Sequence, residues 1–124
     1  MSNFTAGDVL SAANLNAAIH TVPINAQTGT TYTLVLTDGQ AKVVTMTNGS
    51  ANTLTIPLAA SVAFPVGTYI TVAQGGTGQT TIAGAGGVTV NAYGGALKLI
   101  GQYAACSLLK TATDTWLVIG ALTS

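Results

Sequence analysis

From Val22 onward, short runs of Thr, Val, Ile and Leu are separated by turns rich in glycine. In one run, Tyr32, Leu34 and Leu36 alternate with smaller residues, which is the period-2 pattern of a strand with one face buried. The 15 glycines of the chain lie mostly between such runs, where a turn needs backbone angles that other residues adopt poorly. About eight or nine short strands at intervals of 8–12 residues are typical of a sandwich or a barrel. We therefore predict an all-β, jelly-roll-like β-sandwich.

The predicted strands follow from these runs and from the turn signals that bound them. Asp38-Gly39 is a turn signal, and the run that follows it is interpreted as the returning strand of a hairpin. The predicted strands are Tyr32–Leu36, Lys42–Thr47, Thr53–Ile56, Tyr69–Ala73, Thr80–Ala83, Val88–Val90, Leu97–Ile100, Ala104–Lys110 and Thr115–Ile119.

The first 22 residues differ from the rest in being rich in Ala, Asn and Leu. Leu15, Ala18 and Ile19 have helical spacing, and Pro23 ends any helix because proline pushes the residue before it out of the helical conformation. We predict one or two short helices in residues 1–22, forming an attachment or oligomerisation segment, and a β-domain over 23–124. The expected contact residues of the segment are Phe4, Val9, Leu10, Leu15 and Ile19.

Charge is scarce: three Lys+Arg and three Asp+Glu make 5% of the chain and a net charge of +0, against about 25% charged residues in ordinary domains. A net charge near zero favours association, so we expect the chain to work as an assembly of its own copies, with a homotrimer as the expected form. Without any Arg it is a poor binder of nucleic acid. No apolar run approaches the roughly 20 residues of a membrane-spanning helix, and no secretory signal is evident.

Groups that could perform catalysis are few. The chain has no Glu and one His; His20 follows the predicted helix, where capping or exposure is the favoured interpretation over a catalytic base. Cys106 lies in a predicted strand and is expected to be buried and inert. His20 and Cys106 are two potential zinc ligands, whereas a structural zinc site needs four. We predict that the chain is not an enzyme and binds no metal or cofactor.

The glycine-rich loop at 75–80 has no Lys after a glycine, so it is not a phosphate-binding P-loop. Trp116 is interpreted as core, with Leu117 and Ile119 on the opposite face of its strand. The Thr-x-Thr pairs are interpreted as the solvent side of alternating strands, since they lack the fixed period of an ice-binding face. The residues expected to make exposed loop contacts are Gly76, Thr77, Gln79 and Tyr93.

Two stretches carry a resemblance. FTAGDVLSAANLN, from Phe4 to Asn16, resembles the FTAG-[DE]-VLTAANLN segment of many bacteriophage tail-fibre and other virion proteins. VTMTNGSANTLTIP from Val44, GGTGQTTIAGAGGVTVN from Gly75 and the closing KTATDTWL from Lys110 resemble a β-module that recurs in phage tail fibres. The resemblance implies a non-enzymatic, homotrimeric, β-rich virion component and supplies no catalytic residues.

Met1 stands almost directly before the first motif, with no shaft repeat between them. We therefore expect a freestanding protein that decorates or cements the capsid, with the major capsid protein or other virion proteins as partners. The alternative is a tail-fibre or receptor-binding tip whose loops contact host surface glycans. Both functions predict a location in the virion, after assembly in the host cytoplasm, with no insertion into membranes.

Overall fold

The computed structural model describes residues 21–124, which fold into eleven strands and two short 3₁₀ turns. The predicted N-terminal helices, their five contact residues and His20 lie outside the described residues, so they stay predictions. The strands are β1 Ile24–Gln27, β2 Thr31–Thr33, β3 Val43–Met46, β4 Asn52–Ile56, β5 Tyr69–Gln74, β6 Thr80–Gly84, β7 Thr89–Ala92, β8 Lys98–Leu99, β9 Ala105–Ala112, β10 Thr115–Gly120 and β11 Leu122–Thr123.

The strands form two mixed sheets. Sheet A has six strands in the order β1-β3-β5-β9-β10-β7, and sheet B has five in the order β11-β8-β6-β4-β2. From β1 to β6 the chain passes from one sheet to the other and back, so that β1, β3 and β5 are parallel neighbours, as are β2, β4 and β6. These three coils, stacked one on the next, make the fold a β-solenoid.

The prediction of an all-β fold is confirmed, but the jelly-roll sandwich is wrong. A hairpin was expected between β2 and β3; instead, β3 lies in sheet A beside β1, and β2 pairs with β4 in sheet B. The 3₁₀ turn at Leu36–Gly39 carries the chain across to the other sheet, and Leu36 is consequently exposed rather than inside a strand. Alternation predicts strands but does not say which strand pairs with which.

The C-terminal part closes the other end of the solenoid with antiparallel pairing. β9 pairs antiparallel with both β5 and β10, and β7 returns parallel to β10. In sheet B, β8 pairs antiparallel with β6 and β11 pairs antiparallel with β8. β9 and β10, which are consecutive and joined by a short turn, form an antiparallel hairpin.

The core lies between the inner faces of the two sheets. Trp116 is 1% exposed and contacts Phe64 edge to face, with ring centroids 5.6 Å apart and an interplanar angle of 89°, a favourable aromatic geometry. The predicted core position of Trp116 is confirmed. The other buried apolar residues are Leu34, Val44, Met46, Leu54, Ile56, Ile70, Val72, Ile82, Leu99, Cys106, Leu108 and Val118.

Stacked turns hold the second and third coils in register. The turn after β5 lies directly on the turn after β3: a Cβ placed on Gly76 would lie 2.5 Å from the backbone of Asn48, and one on Gly78 would overlap the carbonyl of Ser50. The turns are also hydrogen-bonded, since Gly78 N–H donates to the Asn48 carbonyl at 2.9 Å. Glycine is required here by the closeness of two backbones.

Candidate functional site

The first coil contains a buried carboxylate. Asp38 is fully buried, and its Oδ2 accepts hydrogen bonds from the Tyr32 hydroxyl at 2.5 Å and from the Val35 N–H at 2.9 Å. Asn25 Nδ2 donates to Asp38 Oδ1 at 2.9 Å and to the Tyr32 hydroxyl at 2.7 Å. Burial, with the adjoining Asp38 carboxylate, raises the pKa of Tyr32 to about 12, so its hydroxyl remains a donor at neutral pH.

In the next coil, the positions that pair with this network are occupied by apolar core residues. In the sheet registers, Asn25 is opposite Val44 and Gln27 is opposite Met46, while Tyr32 is opposite Leu54. Gln27 Nε2 also donates to Asn25 Oδ1 at 2.7 Å. The first coil of residues 21–124 therefore places a hydrogen-bonded polar layer beside the hydrophobic core, as the terminal repeats of solenoids do.

Three further reactive side chains are buried or hydrogen-bonded to the backbone, so they contribute to the fold. Lys110 is 4% exposed and its Nζ donates to the Phe64 carbonyl at 2.5 Å. Asp114 Oδ1 accepts from the Ala59 N–H at 2.7 Å, which fastens the β9–β10 turn to the loop after β4. Cys106 is buried, as predicted, and burial raises the pKa of its thiol to about 12. The thiol is therefore protonated at neutral pH and a poor nucleophile.

Of the surface depressions in the described part of the chain, three have walls without a carboxylate, imidazole, thiol or ammonium group. Two, of about 440 and 330 Å³, adjoin each other beside the loop at 63–69. The third, of about 240 Å³, is lined by Tyr93, Leu117, Ile119 and Leu122 among others.

Residues 21–124 hold no group of three His, Cys, Asp or Glu side chains placed to bind a metal, and no helix among them could cross a membrane.

The outer face of sheet A is uncharged and has large apolar side chains among small and hydroxyl-bearing ones. Tyr69, Leu109 and Leu117 lie side by side across β5, β9 and β10. A second row runs from Ile24 through Val43, Thr71 and Ser107 to Ile119. Ile24 is 67% exposed, Tyr69 54% and Ile119 53%. The remaining outward residues of the six strands are Ala, Thr and Asn.

The outward positions on the strands of sheet B are threonines, one alanine and Lys98. Thr31, Thr53, Thr81, Lys98 and Thr123 form one row across its five strands. Thr33, Thr55 and Ala83 form the next. The prediction that Thr-x-Thr pairs are the solvent side of strands is confirmed for the pairs of β2 and β4. The two sheets therefore present chemically different faces.

The predicted loop contacts differ in accessibility. Tyr93 is 98% exposed and Thr77 is exposed, as expected. Gly76 is not available, because it is buried against the Asn48 backbone. Gln79 is half-buried and donates from Nε2 to the Leu99 carbonyl at 3.0 Å. The loop at 75–79 therefore mainly packs on the preceding turn, whereas Tyr93 lines a depression with Leu117 and Ile119.

Three surface residues, Tyr69, Tyr103 and Leu109, were not identified from the sequence. Tyr103 is 80% exposed at a positive φ of 71°, and Tyr69 and Leu109 belong to the uncharged outer face of sheet A. The signal for that face was present in the alternation of β10, which correctly put Leu117 and Ile119 opposite Trp116. It could not show that β5 and β9 extend the same surface.

No protein-family model, no curated protein and no solved structure matches this chain.

Proposed function

We propose that this chain is a non-enzymatic structural protein of a bacteriophage virion, which assembles as a homotrimer and decorates or cements the head. The resemblance of Phe4–Asn16 and of the β-module to virion proteins points to this class. The supporting observation is the placement of charge: Asp38 and Lys110 are buried, and the outer face of sheet A carries no charged residue. A surface with so little repulsion suits a subunit of an assembly.

The chemistry of the described groups agrees with a structural role. Asp38, Asp114 and Lys110 bond to backbone groups, and the Cys106 thiol is buried and protonated. The proposed partners are other copies of the chain and the major capsid protein or another virion protein. Nucleic acid, membranes and cofactors have no part in the proposal.

The location of the chain in the particle tests this function. Quantitative mass spectrometry of purified virions from the phage that encodes the chain should find it in hundreds of copies, and immunogold labelling should mark the head. A handful of copies at the tail would favour the alternative below. Absence from the particle would contradict both.

The alternative is a receptor-binding tip, favoured by the exposure of Tyr93 and Tyr103, at 98% and 80%. Exposed aromatic rings offer flat apolar surfaces with a polar tip, which sugar rings can stack on. Full-length protein should then bind a glycan array, and Tyr93→Ala should weaken binding while Tyr93→Phe retains it. A chain that binds neither glycans nor host cells is not a receptor-binding tip.

A further inference from the structure

The outer face of sheet A is the large lateral surface of the solenoid that lacks charge. Its two rows bring Tyr69, Leu109 and Leu117 together across three adjacent strands, with Ile119 beside Leu117 on β10. The corresponding face of sheet B has threonines on its central strands and Lys98 on β8, next to the edge strand β11. Burial of an unpaired Lys is costly, so sheet A has the face better suited to exclude water.

We propose that the outer face of sheet A packs against a second copy of this chain. The inference rests on the self-assembly in the proposed function and identifies the surface responsible. It does not depend on where the assembly sits in the particle.

The lack of charge on the outer face of sheet A favours a second copy of the chain as the partner that packs on it. A partner with charged side chains would lose their hydration against a surface that offers no opposite charge, which is unfavourable. Another copy brings only apolar side chains, hydroxyls and one amide, Asn91, to the contact. The hydroxyls of Thr71 and Ser107 can hydrogen-bond across it, so no buried ion is created.

The size of the face is adequate. Six strands spaced about 4.8 Å apart, with central strands of six to eight residues, cover roughly 600 Å² in projection. Side-chain relief makes the accessible area larger than the projection, which brings it near the roughly 800 Å² per partner of a stable interface. The depression of about 240 Å³ lined by Tyr93, Leu117 and Ile119 continues the face and gives a partner side chain a place to insert.

The first coil is not the surface we propose, although Val35 and Leu36 of its turn are exposed. Its inner layer, Asn25, Gln27 and Tyr32, is held by hydrogen bonds around Asp38, so polar groups cover this end of the core within residues 21–124.

Ile119→Lys tests the surface, with Thr31→Lys as the matched control. Both residues are exposed strand positions, one on each sheet, so both variants should retain the far-ultraviolet circular dichroism of the unmodified chain. Sedimentation velocity of the full chain should show an oligomer for the unmodified protein and for Thr31→Lys. Ile119→Lys should weaken association about 100-fold, because the contact would bury an unpaired charge.

Thiol labelling supplies a readout that is independent of added charge. Ser107→Cys and Thr55→Cys place a thiol at half-buried outward positions of sheets A and B, and the buried Cys106 of the unmodified chain gives the background. Burial between copies predicts that a maleimide labels position 107 at least about tenfold more slowly than position 55. Dilution to monomer should remove the difference.

An unmodified chain that is monomeric throughout would overturn the inference, as would equal labelling at both positions in an oligomer. If Ile119→Lys and Thr31→Lys both dissociate, the thiol labelling decides between the two sheets. Slow labelling at position 107 but not at position 55 supports the inference, and slow labelling at position 55 overturns it. The proposed function fails separately, by absence of the chain from virions. An oligomer built on sheet A but missing from the particle would retain the inference and refute the function.

Discussion

Asp38 shows how one residue can have a role that its local sequence does not reveal. The pair Asp38-Gly39 predicts a turn, and a turn is found. The carboxylate, however, is directed inward and accepts from Tyr32, Asn25 and the Val35 backbone. These partners come from two strands and a turn, so no local pattern could identify the network. Cys106 was easier to predict, because a small apolar-like side chain inside a strand is usually buried.

Tyr32→Phe tests the network. Loss of the hydroxyl leaves the buried Asp38 carboxylate one donor short, so the free energy of unfolding should fall by about 1–3 kcal/mol. Urea unfolding followed by circular dichroism measures it. The matched control is Tyr93→Phe at a 98% exposed position, which should change stability by less than about 0.5 kcal/mol. Equal effects in the two variants would show that the network contributes nothing.

Alkaline pH tests the burial of Cys106. The pKa of this thiol is raised from 9.0 to about 12 in the folded chain. The folded state therefore holds its proton more tightly than the unfolded state, and this contribution to stability is complete below pH 9.0 and is lost as pH rises to about 12. The free energy of unfolding should fall less steeply over that interval in Cys106→Ala. Parallel pH profiles would contradict the burial of the thiol.

The strands themselves were largely predictable, and their pairing was not. β4, β5, β6, β9 and β10 match their predicted runs closely, because alternating β-branched and apolar residues suit a half-buried pleated surface. β1 was missed since its inward residues, Asn25 and Gln27, are polar. Parallel pairing joins strands about 20 to 28 residues apart, a distance at which no local turn signal operates.

Gly78→Ala tests the stacking of the turns. The added methyl would overlap the Ser50 carbonyl, and backbone cannot move aside as a side chain can, so the free energy of unfolding should fall by about 1–3 kcal/mol. Gly86→Ala is the control, since nothing lies within 4 Å of the added atom. That variant should be neutral or up to about 1 kcal/mol more stable. A tolerated Gly78→Ala would mean that the turns do not stack this closely.

At the scale of the described molecule, residues 21–124 form a short solenoid whose first coil contains a buried polar network and whose far end is closed by an antiparallel hairpin. Composition predicted that so lightly charged a chain would associate, but not through which surface. The contrast between the faces emerges only when the strands are assigned to sheets: threonine rows and Lys98 on sheet B, Tyr69, Leu109 and Leu117 on sheet A.

Sedimentation equilibrium of the unmodified full chain, from about 1 μM to 1 mM, is the most direct measurement of whether copies share this face. Interfaces of standard size commonly bind in or below the micromolar range. Burial of sheet A between copies predicts at least about 25 kDa, the mass of two chains, and about 37 kDa for the proposed homotrimer, against 12.3 kDa for one chain, across most of that range. A soluble species of single-chain mass at 1 mM would contradict it.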